Sequence, residues 1–159
     1  MQKKRVFSLI ERKMIMGMID VTLKPVIRRL AVASGTIYLS SDTISAIQAG
    51  KIKKGDPLIV AEIAGMNAAK QTHLLIPHCH QISLDVARVD FAISKNKIEA
   101  TCTIGAQART GVEMEALLGV SVALNTIWDV VKYLEKDQDG QYPMTRISDI
   151  RVLKKIKKV

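Results

Sequence analysis

Apolar residues divide this chain into strand-like and helix-like stretches. Arg29 to Ser40 reads as a strand by its Val, Ile, Tyr and Thr content, after which Ser41 or Asp42 caps a short helix that Gly50 ends. Lys51 to Gly55 is a basic loop. Asp56-Pro57 then pairs an N-cap acid with proline at the first helical position, and a helix runs through Ile59, Ile63, Met66 and Ala69 to about Leu74, closed by Pro77. From Gln81 the period falls to two. Ile82, Leu84 and Val86 share one parity and Val89, Phe91 and Ile93 the other, which predicts a bulge or a strand buried on both sides. Ser94 to Lys97 is a turn, and Ile98, Ala100, Cys102 and Ile104 alternate on the return strand of a hairpin.

Thr110-Gly-Val-Glu113 has the spacing of a capping box, opening a helix to about Asp139 with Gly140 as its stop. Its middle is apolar all round, the pattern of a buried helix. A last strand spans about Thr145 to Leu153. The order β-α-α-β-β-α-β predicts an α+β fold, with helices on one face of a largely antiparallel sheet.

Composition sharpens this picture in two ways. The chain is 48% hydrophobic but only 4% aromatic, so its core is built from Ile, Val, Leu, Ala and Met. The net charge of +9 is concentrated at the ends: residues 1–13 carry +4 and residues 151–159 carry +5, leaving 14–150 neutral. Two cysteines, Cys79 and Cys102, are too few for a stapled secreted fold. Charges interrupt Met1 to Asp20, and the longest uncharged apolar stretch, Ala116 to Trp128, is short of a membrane span. The expectation is one cytoplasmic domain over residues 14–155, with basic tails at 1–13 and 156–159 and no membrane partner. The tails are either solvated ends or arms that fold over an anionic ligand.

Four groups of residues carry candidate chemistry. His78-Cys79-His80 follows Pro77 on a loop and reads as a structural turn, as a catalytic or ligand-binding histidine, or, with His73, as a metal site lacking the usual zinc spacing. Glu113 and Glu115 open the long helix about 200° apart around its axis, so one helix does not aim both at a single atom. Asp129 and Lys132, at spacing i, i+3, are either an ion pair at the core's edge or an acid–base pair displaced by partial burial. Lys51, Lys53 and Lys54 are a solvated run or present a lysine to a phosphate. Neither a P-loop nor a dinucleotide-binding glycine fingerprint occurs. Glu115 and Asp129 lie fourteen residues apart, roughly 21 Å along one helix. If both serve one small ligand, they come from different subunits.

Several longer motifs stand together in this chain. They are Met-Ile-Asp-Val-Thr (18–22), Lys-Gly-Asp (54–56), Ile-Ala-Gly-Met-Asn-Ala-Ala-Lys-Gln-Thr (63–72), Leu-Ile-Pro-His-Cys-His (75–80) and Thr-Gly-Val-Glu-Met-Glu-Ala-Leu (110–117). From about Met18 to Leu153 the sequence resembles the cyclic pyranopterin monophosphate synthases, the MoaC family of molybdenum-cofactor biosynthesis. The resemblance implies a ferredoxin-like α+β subunit that forms dimers and then hexamers, as a trimer of dimers, with sites at subunit interfaces. It implies a pyrophosphate-releasing phosphorus–oxygen lyase acting on 3′,8-cyclo-7,8-dihydroguanosine triphosphate. No organic cofactor is implied, and magnesium enters as a companion of the triphosphate.

Carried over by position, Asp129 is the family's acid–base residue with Lys132 beside it, and Lys54, His80, Glu113 and Glu115 match its other functional positions. His78, Cys79, His80, Met114 and Glu115 match the stretches that contact substrate, and Arg29 and Lys155 are further contacts. No resident metal site and no nucleic-acid partner are implied. The chain departs from the family at His78, where leucine is usual, at Gln81, where proline is usual, and at Ile27, where threonine is common. It ends in Ile156, Lys157, Lys158 and Val159 instead of the family's glycine- and lysine-containing tail. Two rival classes are a nucleic-acid- or nucleotide-binding module using the basic ends and a catalytically dead scaffold. The scattered aromatics form no stacking platform for the first, and the intact acid–base set weakens the second.

Overall fold

The computed structural model describes residues 17–158, so the basic run 1–13 and Val159 lie outside the described residues. The elements follow as β1 (Ile27–Tyr38), α1 (Ser41–Gln48), α2 (Pro57–Lys70), α3 (Thr72–Leu75), β2 (Val86–Ser94), β3 (Lys97–Ala108), α4 (Glu113–Glu135) and β4 (Arg146–Lys158). The strands form one sheet in the order β2-β3-β1-β4, antiparallel at every pairing. With the short α1 and α3 set aside, this is the ferredoxin-like βαββαβ succession that the pattern and the resemblance predict.

Small residues decide how closely the layers approach. The inward row of the sheet includes Ala31, Ala33 and Ile37 on β1 and Ile98, Ala100, Cys102 and Ile104 on β3, all buried. Against it lies α4, through Ala116, Val120, Ala123, Leu124 and Ile127, and α2 packs on α4 through Ala61, Gly65 and Ala68. A Cβ on Gly65 would stand 2.8 Å from the Gly119 carbonyl oxygen, and one on Gly119 would stand 2.6 Å from Cys102 Sγ. Helix therefore touches helix, and helix touches sheet, with no room for the large rings that the composition lacks. The core helix α4 is long and apolar enough to cross a membrane by composition alone, but one stripe of it is fully buried in this seam.

Local signals explain two of the element boundaries well. Asp56 caps α2 as predicted, its Oδ1 accepting the Leu58 N–H at 2.8 Å and the Ile59 N–H at 3.3 Å, with Pro57 in the first turn. The β2–β3 hairpin closes over Lys95 and Asn96 in the predicted place.

Other boundaries move. Ser40, not Ser41 or Asp42, caps α1 by accepting the Thr43 N–H. The helix expected to reach Leu74 breaks at Gln71, and Thr72 turns its hydroxyl back on the Ala68 and Ala69 carbonyls as α3 begins. The parity change after Gln81 is not a bulge. β2 begins only at Val86 and pairs with β3 in unbroken register, while Ile82 and Leu84 pack on the core from the irregular segment before it.

The capping box does not form either. Val112, 1% exposed, holds the N-cap position of α4 without a side-chain bond, because its burial fixes the entry of the chain. At its other end α4 stops at Glu135, short of Asp139, where the Glu135 carboxylate accepts from the Ser40 N–H, the Ser40 hydroxyl (2.9 Å) and the Thr145 hydroxyl (2.6 Å). Nor is α4 buried on every side: Asn125 and Asp129 are exposed on its outer face. β4 runs to Lys158, five residues past the predicted end, and pairs with β1 through two irregularities in register. Its basic residues thus belong to the sheet's edge.

Candidate functional site

The two ends of α4 each gather part of the predicted chemistry. At the N-terminal end an open cavity of about 450 Å³ is walled by His78, Cys79 and His80 on one side and by Glu113, Met114 and Glu115 on the other. Lys155 reaches in from β4 and ion-pairs with Glu113, the residue released by the missing capping box. Glu113 and Glu115 both line this cavity despite their separation around the helix, because the helix end itself forms the wall.

Each side chain has a distinct environment. Glu115 is 4% exposed, and burial, with a smaller push from the Glu113 charge, raises its carboxyl above the usual range. Burial and the Glu115 charge raise the neighbouring Cys79 thiol as well, so it is a poor nucleophile at rest. His80 Nε2 lies 2.8 Å from the Ile19 carbonyl oxygen. A carbonyl only accepts, so Nε2 carries the proton and a neutral His80 offers Nδ1 as its basic nitrogen.

The segment before β1 forms another wall, through Gly17, Ile19, Val21 and Lys24. Arg109 Nε donates to the Lys24 carbonyl at 3.2 Å and fastens this segment. Sequence reasoning placed Ile19 and Val21 in a motif but assigned them no contact, and missed Lys24. Their one local signal was Asp20, whose Oδ1 accepts the Thr22 N–H in a tight turn.

Three predicted residues meet at the other end of α4. Asp129 Oδ1 lies 2.7 Å from Lys132 Nζ, and Oδ2 lies 3.4 Å from Lys54 Nζ, which also donates to the Asp129 carbonyl at 3.1 Å. The hydrogen bond and charge of Lys132, with those of Lys54 behind them, hold the Asp129 carboxyl below the usual carboxylate range. The same pairing raises the Lys132 ammonium. This corrects one expectation: the pair is 60% exposed at Asp129 and is displaced by ion pairing, not by burial. Among the described residues, Lys54 is the one of the basic loop's three lysines that reaches an acid.

Arg29 is not among the residues that line the cavity. It is buried, with Nε donating to the Ala108 carbonyl at 3.3 Å and Nη2 to the Arg109 carbonyl at 3.1 Å, so it clamps the end of β3 that leads into Thr110 and Gly111. His73 is likewise not among the lining residues. Among the described residues no three His, Cys, Asp or Glu side chains converge as metal ligands, so the zinc alternative has no donor set here.

A cavity at one end of a core helix and a charged triad at the other give this α+β fold two candidate sites. Residues 18–157 match the family model described as MoaC family, and the chain belongs to that family. It is 56% identical over 140 residues, 88% of this chain and 91% of the relative, to a Methanosphaerula palustris protein named "Probable cyclic pyranopterin monophosphate synthase". A Thermococcus kodakarensis protein of the same name is 55% identical over 88% of this chain and 90% of its own. A Methanothermobacter thermautotrophicus relative, 53% identical over 88% of each chain, bears that name with "accessory protein" added.

Proposed function

We propose that this chain is a cyclic pyranopterin monophosphate synthase of molybdenum-cofactor biosynthesis. It converts 3′,8-cyclo-7,8-dihydroguanosine 5′-triphosphate to cyclic pyranopterin monophosphate and releases pyrophosphate, as a phosphorus–oxygen lyase. The observation that carries this reading is the joint survival of both residue sets in a member of the family: the His80–Glu115 cavity and the Lys54–Asp129–Lys132 triad.

The two sets divide the work. Opening the purine's imidazole ring and rebuilding a pterin requires proton transfers, for which His80 offers Nδ1 and Glu115 a carboxyl raised by burial. Glu113 and Met114 hold the base-derived ring beside His78 and Cys79. Asp129 and Lys132 face the substrate as carboxylate base and ammonium acid, and Lys54 and Lys155 neutralise the triphosphate as the α-phosphorus is attacked and pyrophosphate leaves. Arg29 supports the wall by fixing the turn into Thr110. The reaction uses no organic cofactor, and magnesium accompanies the substrate.

Because α4 separates the sets by roughly 21 Å, a complete site joins the cavity of one subunit to the triad of another. The exposed apolar faces support such an assembly: Ile59 and Ile63 on α2 and Ile150, Val152 and Leu153 on β4 are surfaces for other copies to cover. A trimer of dimers supplies these interfaces. The free thiols of Cys79 and Cys102 suit the cytoplasm. Supplying the cyclised dihydro-GTP intermediate, and following pyrophosphate together with the oxidised pterin's fluorescence, tests the reading. Both signals are expected; a folded oligomer that gives neither is not this enzyme.

A further inference from the structure

The basic loop is held in place by α4 itself. Between Ile52, which is buried, and Asp56, which caps α2, only Lys53, Lys54 and Gly55 span the surface. Gly55 takes φ +94° and its N–H closes on the Ile52 carbonyl at 3.2 Å, so the turn is tight. Its backbone is tied to α4 at Tyr133, whose hydroxyl oxygen accepts the Lys53 N–H at 3.0 Å. The Lys53 ammonium stands 5.5 Å from the centroid of the same ring. Tyr133 follows Asp129 by four residues on α4, so the two share a helix face.

These contacts sort the lysines. Lys53 is parked on the aromatic ring, its peptide is pinned, and the next side chain, Lys54, is delivered to the carbonyl and carboxylate of Asp129. A lysine on a mobile loop would spread over many rotamers and meet Asp129 in few of them. We propose that Tyr133 is a positioning residue of the active site, seating the Lys51–Gly55 loop so that Lys54 meets Asp129. The proposal deepens the synthase reading and rests on it for its catalytic part.

The test uses the full chain and two readouts. Tyr133→Phe removes the accepting hydroxyl and keeps the ring, so its melting temperature stays close to that of the parent. The Asp129 carboxyl, faced by Lys54 and Lys132 with Tyr142 behind Lys132, is titrated by carbon-13 NMR in aspartate-labelled protein. In Tyr133→Phe its midpoint rises; in Lys54→Met it rises as well; in the double variant Tyr133→Phe adds nothing further. In the coupled assay Tyr133→Phe loses about tenfold in kcat/KM, as expected for loosened positioning.

An unmoved midpoint in Tyr133→Phe, or additive shifts in the double variant, overturns the proposal. A moved midpoint with unaltered turnover removes its catalytic part. The titration reads the contact whether or not the chain turns over the pterin precursor, so failure of the synthase reading is a separate result.

Discussion

Glu115 and Glu135 are both buried on α4 and answer to pH in opposite senses. Burial pushes up on the Glu135 carboxyl, but bonds from Thr145, Thr43 and Ser40 outweigh it and hold the group below its usual range. Its contribution to stability is complete above the unfolded carboxyl's value and is lost as pH falls through the lower folded value. Glu135→Gln should therefore cost about 1.5–3 kcal/mol at pH 7, the scale of hydrogen bonds to a charged group. The gap to the parent closes in strong acid, as urea unfolding at neutral and acid pH would record. Glu115 runs the other way: its folded value is raised, so stability present below the unfolded value is lost as pH rises through the folded one. Glu115→Gln should raise the unfolding midpoint at pH 7, leave it unchanged in acid, and abolish turnover. A variant that is both less stable and fully active at pH 7 contradicts that assignment. At Asp129 the carboxylate is exposed, so Asp129→Asn should fold like the parent while turnover falls at least 100-fold. Normal turnover by that variant removes Asp129 from the chemistry.

At the scale of elements, legibility followed the locality of the signal. Asp56-Pro57 and the Ser94–Lys97 turn were readable because the residues that make them are neighbours in sequence. The capping box was misleading: Thr110 and Glu113 have the right spacing, but burial of Val112 from a distance decides where α4 begins. β4's length was illegible for a related reason. A row of lysines has no strand signature, and those residues are strand because β1 offers them partners, Lys158 opposite Arg28 and Lys155 opposite Ala31. The candidate residues were proposed through family motifs, whereas Lys24 and Tyr133 meet partners 80 or more residues away, and Glu135 joins Ser40, equally remote, to nearby Thr145. The seam between α4 and β3 gives the test at this scale. Gly119→Ala drives a methyl against Cys102 and should cost about 1–3 kcal/mol. Denaturant titration measures this, and an unchanged midpoint would mean that the seam is looser than these distances require.

For the whole molecule, the proposed division of the site between copies makes a quantitative statement. Glu115→Gln and Asp129→Asn each spoil a different half of every site in their own oligomers. Subunits mixed in equal amounts and reassembled at random restore about a quarter of the parental sites, since each restored site needs an intact cavity from one copy and an intact triad from another. Recovery of activity from two inactive proteins, read in the coupled assay, is the expected result. No recovery after demonstrated subunit exchange would return both halves to a single chain.

α4 also acts as a ruler. It fixes how far apart the two halves stand and which way each faces, and it does so by residue count. One residue inserted between Gly119 and Ala123 would turn one end against the other by about 100° and lengthen the span by about 1.5 Å. No compensating change in a loop could undo that rotation. A residue added to the connection from Lys136 to Thr145 leaves that spacing untouched, whereas one added between Glu113 and Asp129 changes it.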